Sequence, residues 1–153
     1  MASRRDTIRM TDQEVLDFLE IPKNISVATH GLGGTIHLTA LWYCLIGQQV
    51  AFWTYAKSQK IANLRRSPQI SLLAEDGRDY SELRGVEVMG EAEIVADPSF
   101  VARVGEGVFV RHVADPSEDV RNVFLSSAPK RLAVVVHPLR VTSWDHRKLG
   151  GQY

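Results

Sequence analysis

A short basic segment contains the residues best suited to bind an anion. It reads Lys57-Ser58-Gln59-Lys60 and directly follows an aromatic stretch of sequence. If Ser58 caps a helix, the free amides of the first helical turn and the two lysine ammonium groups can meet one oxyanion. The third helical position is Ile61 rather than Glu or Gln, so no capping-box side chain competes there. The pattern predicts a phosphate-binding helix start.

The basic segment lies within a stretch of sequence that has no acidic residue. From Ile21 to Ala74 there is no Asp or Glu, although the chain as a whole has 18 acidic and 18 basic residues. At that average frequency a stretch of this length would hold about six carboxylates. An ordinary surface helix with a basic face would explain the charges alone. The missing acids, together with the neighbouring Trp42 and Trp53, favour a planar phosphorylated ligand.

Length and composition limit the classes of protein to consider. The 153 residues are most simply one domain over 1–153, and the 44% hydrophobic and 24% charged composition is typical of a soluble globular protein. The single cysteine, Cys44, excludes an internal disulfide framework and fits a reducing compartment. The first residues lack an apolar signal core, and no apolar run approaches the length of a membrane span. We therefore predict a cytoplasmic protein without a membrane span.

The hydrophobic pattern predicts an antiparallel sheet. From Thr35 to Ile46 every even position is apolar, so we expect one long strand with a buried even face. Its odd face, which includes His37, is mixed and could line a site. Gly47-Gln48 is expected to turn this strand into the hairpin partner Val50 to Tyr55.

The remaining elements complete a mainly β protein with helices. A capping box from Thr11 to Glu14 starts a short first helix. Gly85 and Gly90 suggest the bends that a barrel needs. We therefore predict an α+β fold, a small antiparallel barrel interrupted by helices. Its other strands are expected at 25–29, 70–74, 86–94, 131–136 and 139–144, and its later helices at 98–114 and 116–128.

Several other kinds of chemistry fit the sequence poorly. The five histidines have no metal-ligand spacing, so no metal site is expected. The glycines of 31–34 lead into a strand rather than a helix, which favours a turn over a phosphate-binding loop. The chain is neutral and its basic patch is only a few residues long, so nucleic-acid binding is not expected. His37 is the one histidine on a candidate site face, and an ordinary strand residue would explain it as well.

Three segments resemble the flavin/deazaflavin oxidoreductase superfamily, which comprises split β-barrels related to pyridoxamine phosphate oxidase. They are Thr35 to Tyr43, Phe52 to Thr54, and Lys57 to Lys60 continued by Asn63 to Pro68. The C-terminal segment Ser143 to Gly151 resembles the actinobacterial branch that uses coenzyme F-420, a deazaflavin. Ala40 departs from the pattern, because many relatives have a proline there.

The resemblance implies an FMN-binding-like split barrel that forms a homodimer with cofactor at the interface. It places the phosphate at Lys57, Ser58 and Lys60. His37 and Tyr43 are the candidate proton donors, and water is an alternative. The resemblance also places cofactor contacts along one strand, at the end of the next strand and in the C-terminal segment, at His37, Leu38, Thr39, Ala40, Leu41, Trp42, Trp53, Thr54, Tyr55, Trp144 and Arg147.

Three functions follow as hypotheses. The first is an F-420-dependent oxidoreductase that transfers a hydride from the reduced cofactor to a small organic substrate with a polarised double bond. The second is an FMN-dependent oxidase or reductase on the same fold. The third is a non-catalytic carrier of a flavin, a deazaflavin or haem.

Overall fold

The strands form one antiparallel sheet that curls into a half-barrel. The structure, a computed structural model, describes residues 3–151, and in that part of the chain the sheet has seven strands. Their order across the sheet is β2-β1-β5-β6-β7-β4-β3. The predicted α+β split barrel is confirmed. The strands are β1 (Asn24–His30), β2 (Ile36–Trp42), β3 (Cys44–Ile46), β4 (Gln49–Tyr55), β5 (Gln69–Asp76), β6 (Arg84–Val95) and β7 (Arg131–Asp145).

The α-helices from Asp12 onwards lie close to their predicted positions, whereas the short helix Arg4–Ile8 was not predicted. The predicted capping box is confirmed, because the Thr11 amide donates to the Glu14 carboxylate at 2.6 Å and the Glu14 amide donates to the Thr11 hydroxyl at 3.2 Å. Within residues 3–151, no helix has the length and apolar character needed to cross a membrane. The helices are α1 (Arg4–Ile8), α2 (Asp12–Leu19), α3 (Gln59–Arg66), α4 (Pro98–His112) and α5 (Glu118–Leu125).

The prediction of one long strand from Thr35 to Ile46 with a buried even face is wrong. The chain breaks this segment at Tyr43 into β2 and β3. The even side chains of β2 are exposed, with Ile36 at 60%, Leu38 at 66% and Trp42 at 45%. The physical reason is that β2 is the terminal strand of the sheet and turns its odd side chains towards the barrel interior. In the described chain, Ile36 and Leu38 on its other face remain exposed, and only the Trp42 end of that face contacts another element, at His112 of α4.

The last two predicted strands form one bent strand. β7 pairs with β6 from Ala133 to Asp145, with a register shift between Met89 and Gly90. A Cβ at Gly90 would collide with the His137 carbonyl, so only glycine fits where the two strands bend together. The predicted bend at Gly90 is therefore confirmed.

β4 forms a wall between two hydrophobic cores. Its even side chains, such as Val50 and Phe52, pack inside the barrel. Its odd side chains, Ala51 and Trp53, pack beneath α4. A Cβ at Gly105 of α4 would collide with the Trp53 indole, so the helix backbone lies directly on that ring. β7 contributes to both cores in the same alternating way.

Candidate cofactor site

The basic segment starts a helix at the position predicted from the sequence. Ser58 is the N-cap of α3, and its hydroxyl accepts a hydrogen bond from the Ile61 amide at 3.4 Å. The Thr54 hydroxyl lies 3.4 Å from the Ser58 hydroxyl and donates to it. Ile61 and Leu64 are buried and fix the helix on the barrel core. The end of β4 and the start of α3 therefore form one connected unit.

The lysine side chains of this segment have no partner among residues 3–151. Lys57 is exposed and Lys60 is half-buried, and neither ammonium group forms a hydrogen bond or ion pair with another described residue. Burial lowers the pKa of the Lys60 ammonium group. The first amides of a helix have no intrahelical acceptor. This helix start thus offers amides and ammonium groups to an external oxyanion.

A buried amide connects α3 to β1. The Asn63 side-chain amide donates to the Thr29 hydroxyl at 3.0 Å, and both residues are buried. The Asn63 carbonyl accepts from Gln59 at 2.8 Å and from Arg66 at 2.6 Å. These bonds fix the orientation of the helix against the sheet. No sequence pattern predicts this network, because Asn63 is identified only as part of the resemblance.

Two polar atoms on the inward face of β2 have no partner in the described chain. They are His37 Nδ1 and Thr39 Oγ1, and both are buried. His37 lies opposite Thr29 in the register of β1 and β2, which brings it next to the strand that Asn63 holds. A buried polar atom without a hydrogen bond costs free energy. The two atoms therefore fit a ligand that supplies polar groups at this strand.

The six residues of 37–42 do not share one surface. His37, Thr39 and Leu41 turn inward, whereas Leu38, Ala40 and Trp42 turn outward. A planar ring along β2 can meet only one of these sets of side chains. Because β2 is the terminal strand, its outer edge also presents backbone groups that no neighbouring strand pairs.

The two tryptophans near the site occupy different environments. Trp42 is not the buried residue that the even-face pattern predicted. Its ring stacks on His112 with centroids 4.8 Å apart. Trp53 is buried in the second core and stacks on Phe124 at 5.3 Å. Tyr55, at the end of β4, is half exposed.

Tyr43 is a core residue, which corrects its assignment as a candidate proton donor. Its side chain is fully buried, and its hydroxyl donates to the Leu19 carbonyl at 2.6 Å. The Arg111 guanidinium lies 4.1 Å from the ring centroid. Burial raises the pKa of Tyr43 to about 12, so the phenol stays neutral in ordinary buffers. The sequence pattern missed this because it assigned burial to the even positions, whereas the odd positions of this segment, which include Tyr43, turn inward.

Tyr43→Phe should lower the free energy of unfolding by about 0.5–1.5 kcal/mol, because one buried hydrogen bond is lost. The loss stays moderate because Arg111 also donates to the Leu19 carbonyl, which therefore keeps a partner. Denaturant unfolding measures the change, with Tyr55→Phe at the half-exposed tyrosine as the matched control. Ligand affinity should not change. A large loss of ligand affinity with unchanged stability would show that Tyr43 does take part in ligand binding.

The C-terminal candidates lie far from the lysines within one chain. Tyr55, two residues before Lys57, pairs with Arg131 at the start of β7, whereas Trp144 lies at the other end of that strand. Measured along the bent strand β7, the path from Arg131 to Trp144 is roughly 40 Å long. Trp144 packs on Gly85 and borders a cavity of about 410 Å³ that also includes Leu38.

Arg147 is committed to a carboxylate in this chain. Its guanidinium pairs with Asp145 through contacts of 2.9 Å and 2.6 Å. This bidentate bond lowers the pKa of the Asp145 carboxyl. Neither Arg147 nor Trp144 is therefore brought next to the anion-binding segment by the chain itself. Among residues 3–151 there is also no group of three or more His, Cys, Asp or Glu side chains that could hold a metal ion.

Comparison with known proteins identifies a family and a close structural relative. Residues 11–145 match the family model described as pyridoxamine 5'-phosphate oxidase. The conserved protein Rv2991 from Mycobacterium tuberculosis is 40% identical, with a TM-score of 0.91 over 99% of this chain and 95% of that protein. No curated protein matches the chain.

Two further solved structures share the architecture. A protein named F420 reductase is 26% identical, with a TM-score of 0.61 over 82% of this chain and 93% of that protein. The haem storage protein HutZ from Vibrio cholerae is 14% identical, with a TM-score of 0.66 over 85% of this chain and 92% of that protein. At this low identity the likeness to HutZ shows the fold alone.

Proposed function

Because the chain belongs to the pyridoxamine 5'-phosphate oxidase family, we propose that it is an oxidoreductase that uses coenzyme F-420. In this proposal a hydride passes from the reduced deazaflavin to a small organic substrate with a polarised double bond. The observation that carries the proposal is the start of α3, where Lys57 and Lys60 flank free helical amides without an acidic partner in the described chain. The similarity to a protein named F420 reductase favours the deazaflavin.

The residues of the chain would hold and orient the cofactor. Lys57, Ser58 and Lys60 would bind the phosphate, and Thr54 would hold the Ser58 hydroxyl in place. The ring would lie along β2, where His37 Nδ1 and Thr39 Oγ1 await polar partners. When bound in reduced form, the deazaflavin supplies the hydride at its C5 position, and the protein supplies position and electrostatics.

His37 is the remaining side-chain candidate for a proton donor. It lies on the inward face of β2, whereas Tyr43 is buried with its hydroxyl already bonded. A neutral imidazole can donate or accept through Nδ1, so it can hold a ring atom or pass a proton. Water is the alternative donor.

We further propose that two chains form a homodimer with the cofactor at their interface. The outward face of β2 exposes Ile36, Leu38 and Trp42, an apolar set that water solvates poorly. A second chain on this face would cover these residues. Trp144 and Arg147 would then reach the partner's site, because within their own chain they lie far from Lys57.

Titration of the purified protein tests the proposed function. We expect saturable binding of F-420, followed by oxidation of the reduced cofactor when enones, quinones or tetrapyrroles are offered. If the protein purified from a host without deazaflavin is yellow and has a flavin spectrum, the cofactor is FMN rather than F-420. Binding of F-420 without turnover of any of these substrates would favour a carrier.

A further inference from the structure

A second basic segment lies beside the Lys57 turn, although it is distant in the sequence. The Ala56 amide donates to the Lys130 carbonyl at 3.0 Å. The next residue, Arg131, is paired with Tyr55 across β4 and β7. Lys57, Lys130 and Arg131 thus lie on two segments whose backbones meet beside this turn. None of the three forms an ion pair with an acidic side chain of residues 3–151.

The Arg131 guanidinium is held with part of its binding capacity unused. Its carbon atom lies 4.5 Å from the Trp53 ring centroid and 4.2 Å from that of Tyr55. Its Nε donates to the Ser127 hydroxyl at 2.9 Å. Stacking occupies the faces of a guanidinium and leaves its in-plane N–H groups available. The two terminal nitrogens form no hydrogen bond with a residue of 3–151.

We propose that Arg131 is an additional ligand-binding residue, which takes an oxyanion of the cofactor held by Lys57, Ser58 and Lys60. This inference rests on the proposed function. A guanidinium fixed by two aromatic rings and a hydroxyl loses little freedom when it binds, and its paired nitrogens match the two oxygens of a phosphate or carboxylate. Three cations gathered without an acid repel one another, and a bound anion relieves that repulsion.

Arg131→Lys is the decisive variant, because lysine keeps the charge and loses the paired nitrogens. We expect F-420 to bind the variant about tenfold to hundredfold more weakly, as expected for one lost charge-assisted hydrogen bond. Fluorescence titration measures the affinity, and thermal unfolding checks that the variant is folded. Arg121→Lys is the matched control, because Arg121 is paired with Glu106 on α4. The control should bind F-420 as the wild type does.

Unchanged F-420 affinity in Arg131→Lys would overturn the proposal. The role of Arg131 would then be limited to packing on the Trp53 ring. A second probe separates this result from a failure of the proposed function. In an NMR titration with inorganic pyrophosphate, the Arg131 Nε–H signal of the wild type should shift together with the amides of 58–60. That shift would support the oxyanion site even if neither F-420 nor FMN binds. An Arg131 signal that does not move would overturn it.

Discussion

The Lys57→Ala, Lys60→Ala double variant should bind its cofactor about 2–5 kcal/mol more weakly than the wild type, because two charge-assisted contacts to the phosphate are lost. The fold should survive, since both side chains lack partners in the described chain and Lys57 is exposed. The pKa of Lys60, which burial lowers, should rise when an anion binds beside it. Calorimetric titration with F-420 and with FMN measures the loss for either cofactor.

Arg65→Ala provides the control for this experiment. Arg65 lies on the same helix, is exposed and makes no ion pair within residues 3–151. The Arg65→Ala variant therefore removes one charge from α3 and leaves the helix start unchanged. Because salt screens the long-range attraction between Arg65 and the cofactor, we expect little change in affinity at physiological salt. If the double variant bound its cofactor as tightly as the wild type, the phosphate would have to lie elsewhere.

Asn63→Leu should lower the free energy of unfolding by about 2–4 kcal/mol, because Thr29 would be left buried without its donor. Gln59 and Arg66 would lose the same acceptor. Cofactor affinity should fall as well, since Asn63 fixes the helix that carries the phosphate site. Denaturant unfolding and F-420 titration of the same preparation measure both effects.

The exposed Asn122 of α5 is the matched position for this substitution. Asn122→Leu changes the same side chain where no buried hydroxyl depends on it, so we expect a change of about 0.5 kcal/mol or less. Equal stability of the two variants would mean that the bond between Asn63 and Thr29 contributes nothing. If Asn63→Leu is less stable but binds the cofactor as tightly as the wild type, the hydrogen bonds of Asn63 stabilise the fold without contributing to the phosphate site.

Local chemistry was sufficient to predict the start of α3 and the overall architecture. Ser58 is a strong N-cap residue, and Ile61 and Leu64 follow at the spacing that buries one side of a short helix. The turn at Gly47 depends on a positive φ that few other residues adopt, and the bend at Gly90 depends on the absence of a Cβ where the His137 carbonyl approaches. Signals of this kind act over a few residues and can be read without the fold.

The orientation of β2 could not be predicted in the same way. Alternation shows that Ile36 and Leu38 share a face, but not whether that face meets the core. The answer depends on which layers the rest of the chain supplies, and the described chain leaves the side chains of Ile36 and Leu38 exposed. Over 36–42 the pattern therefore identified the correct set of residues on the wrong side of the sheet, whereas Cys44 is buried as predicted.

Contacts between distant segments were also beyond the reach of the sequence. Arg131 lies more than seventy positions after Lys57, and only the pairing of β4 with β7 brings them together. The bond between Asn63 and Thr29 similarly joins α3 to β1, although the three strands β2, β3 and β4 lie between them in the sequence. No spacing rule describes such pairs, because their separation depends on the lengths of the intervening elements.

The double burial of β4 has a consequence for the evolution of this chain. All five residues from Val50 to Thr54 are buried, so this stretch has no position where mutations can accumulate neutrally on a solvent face. A change on one side of the strand disturbs the barrel, and a change on the other disturbs the packing of α4. We therefore expect relatives of this chain to differ less in sequence within 50–54 than in the exposed segments that flank this strand.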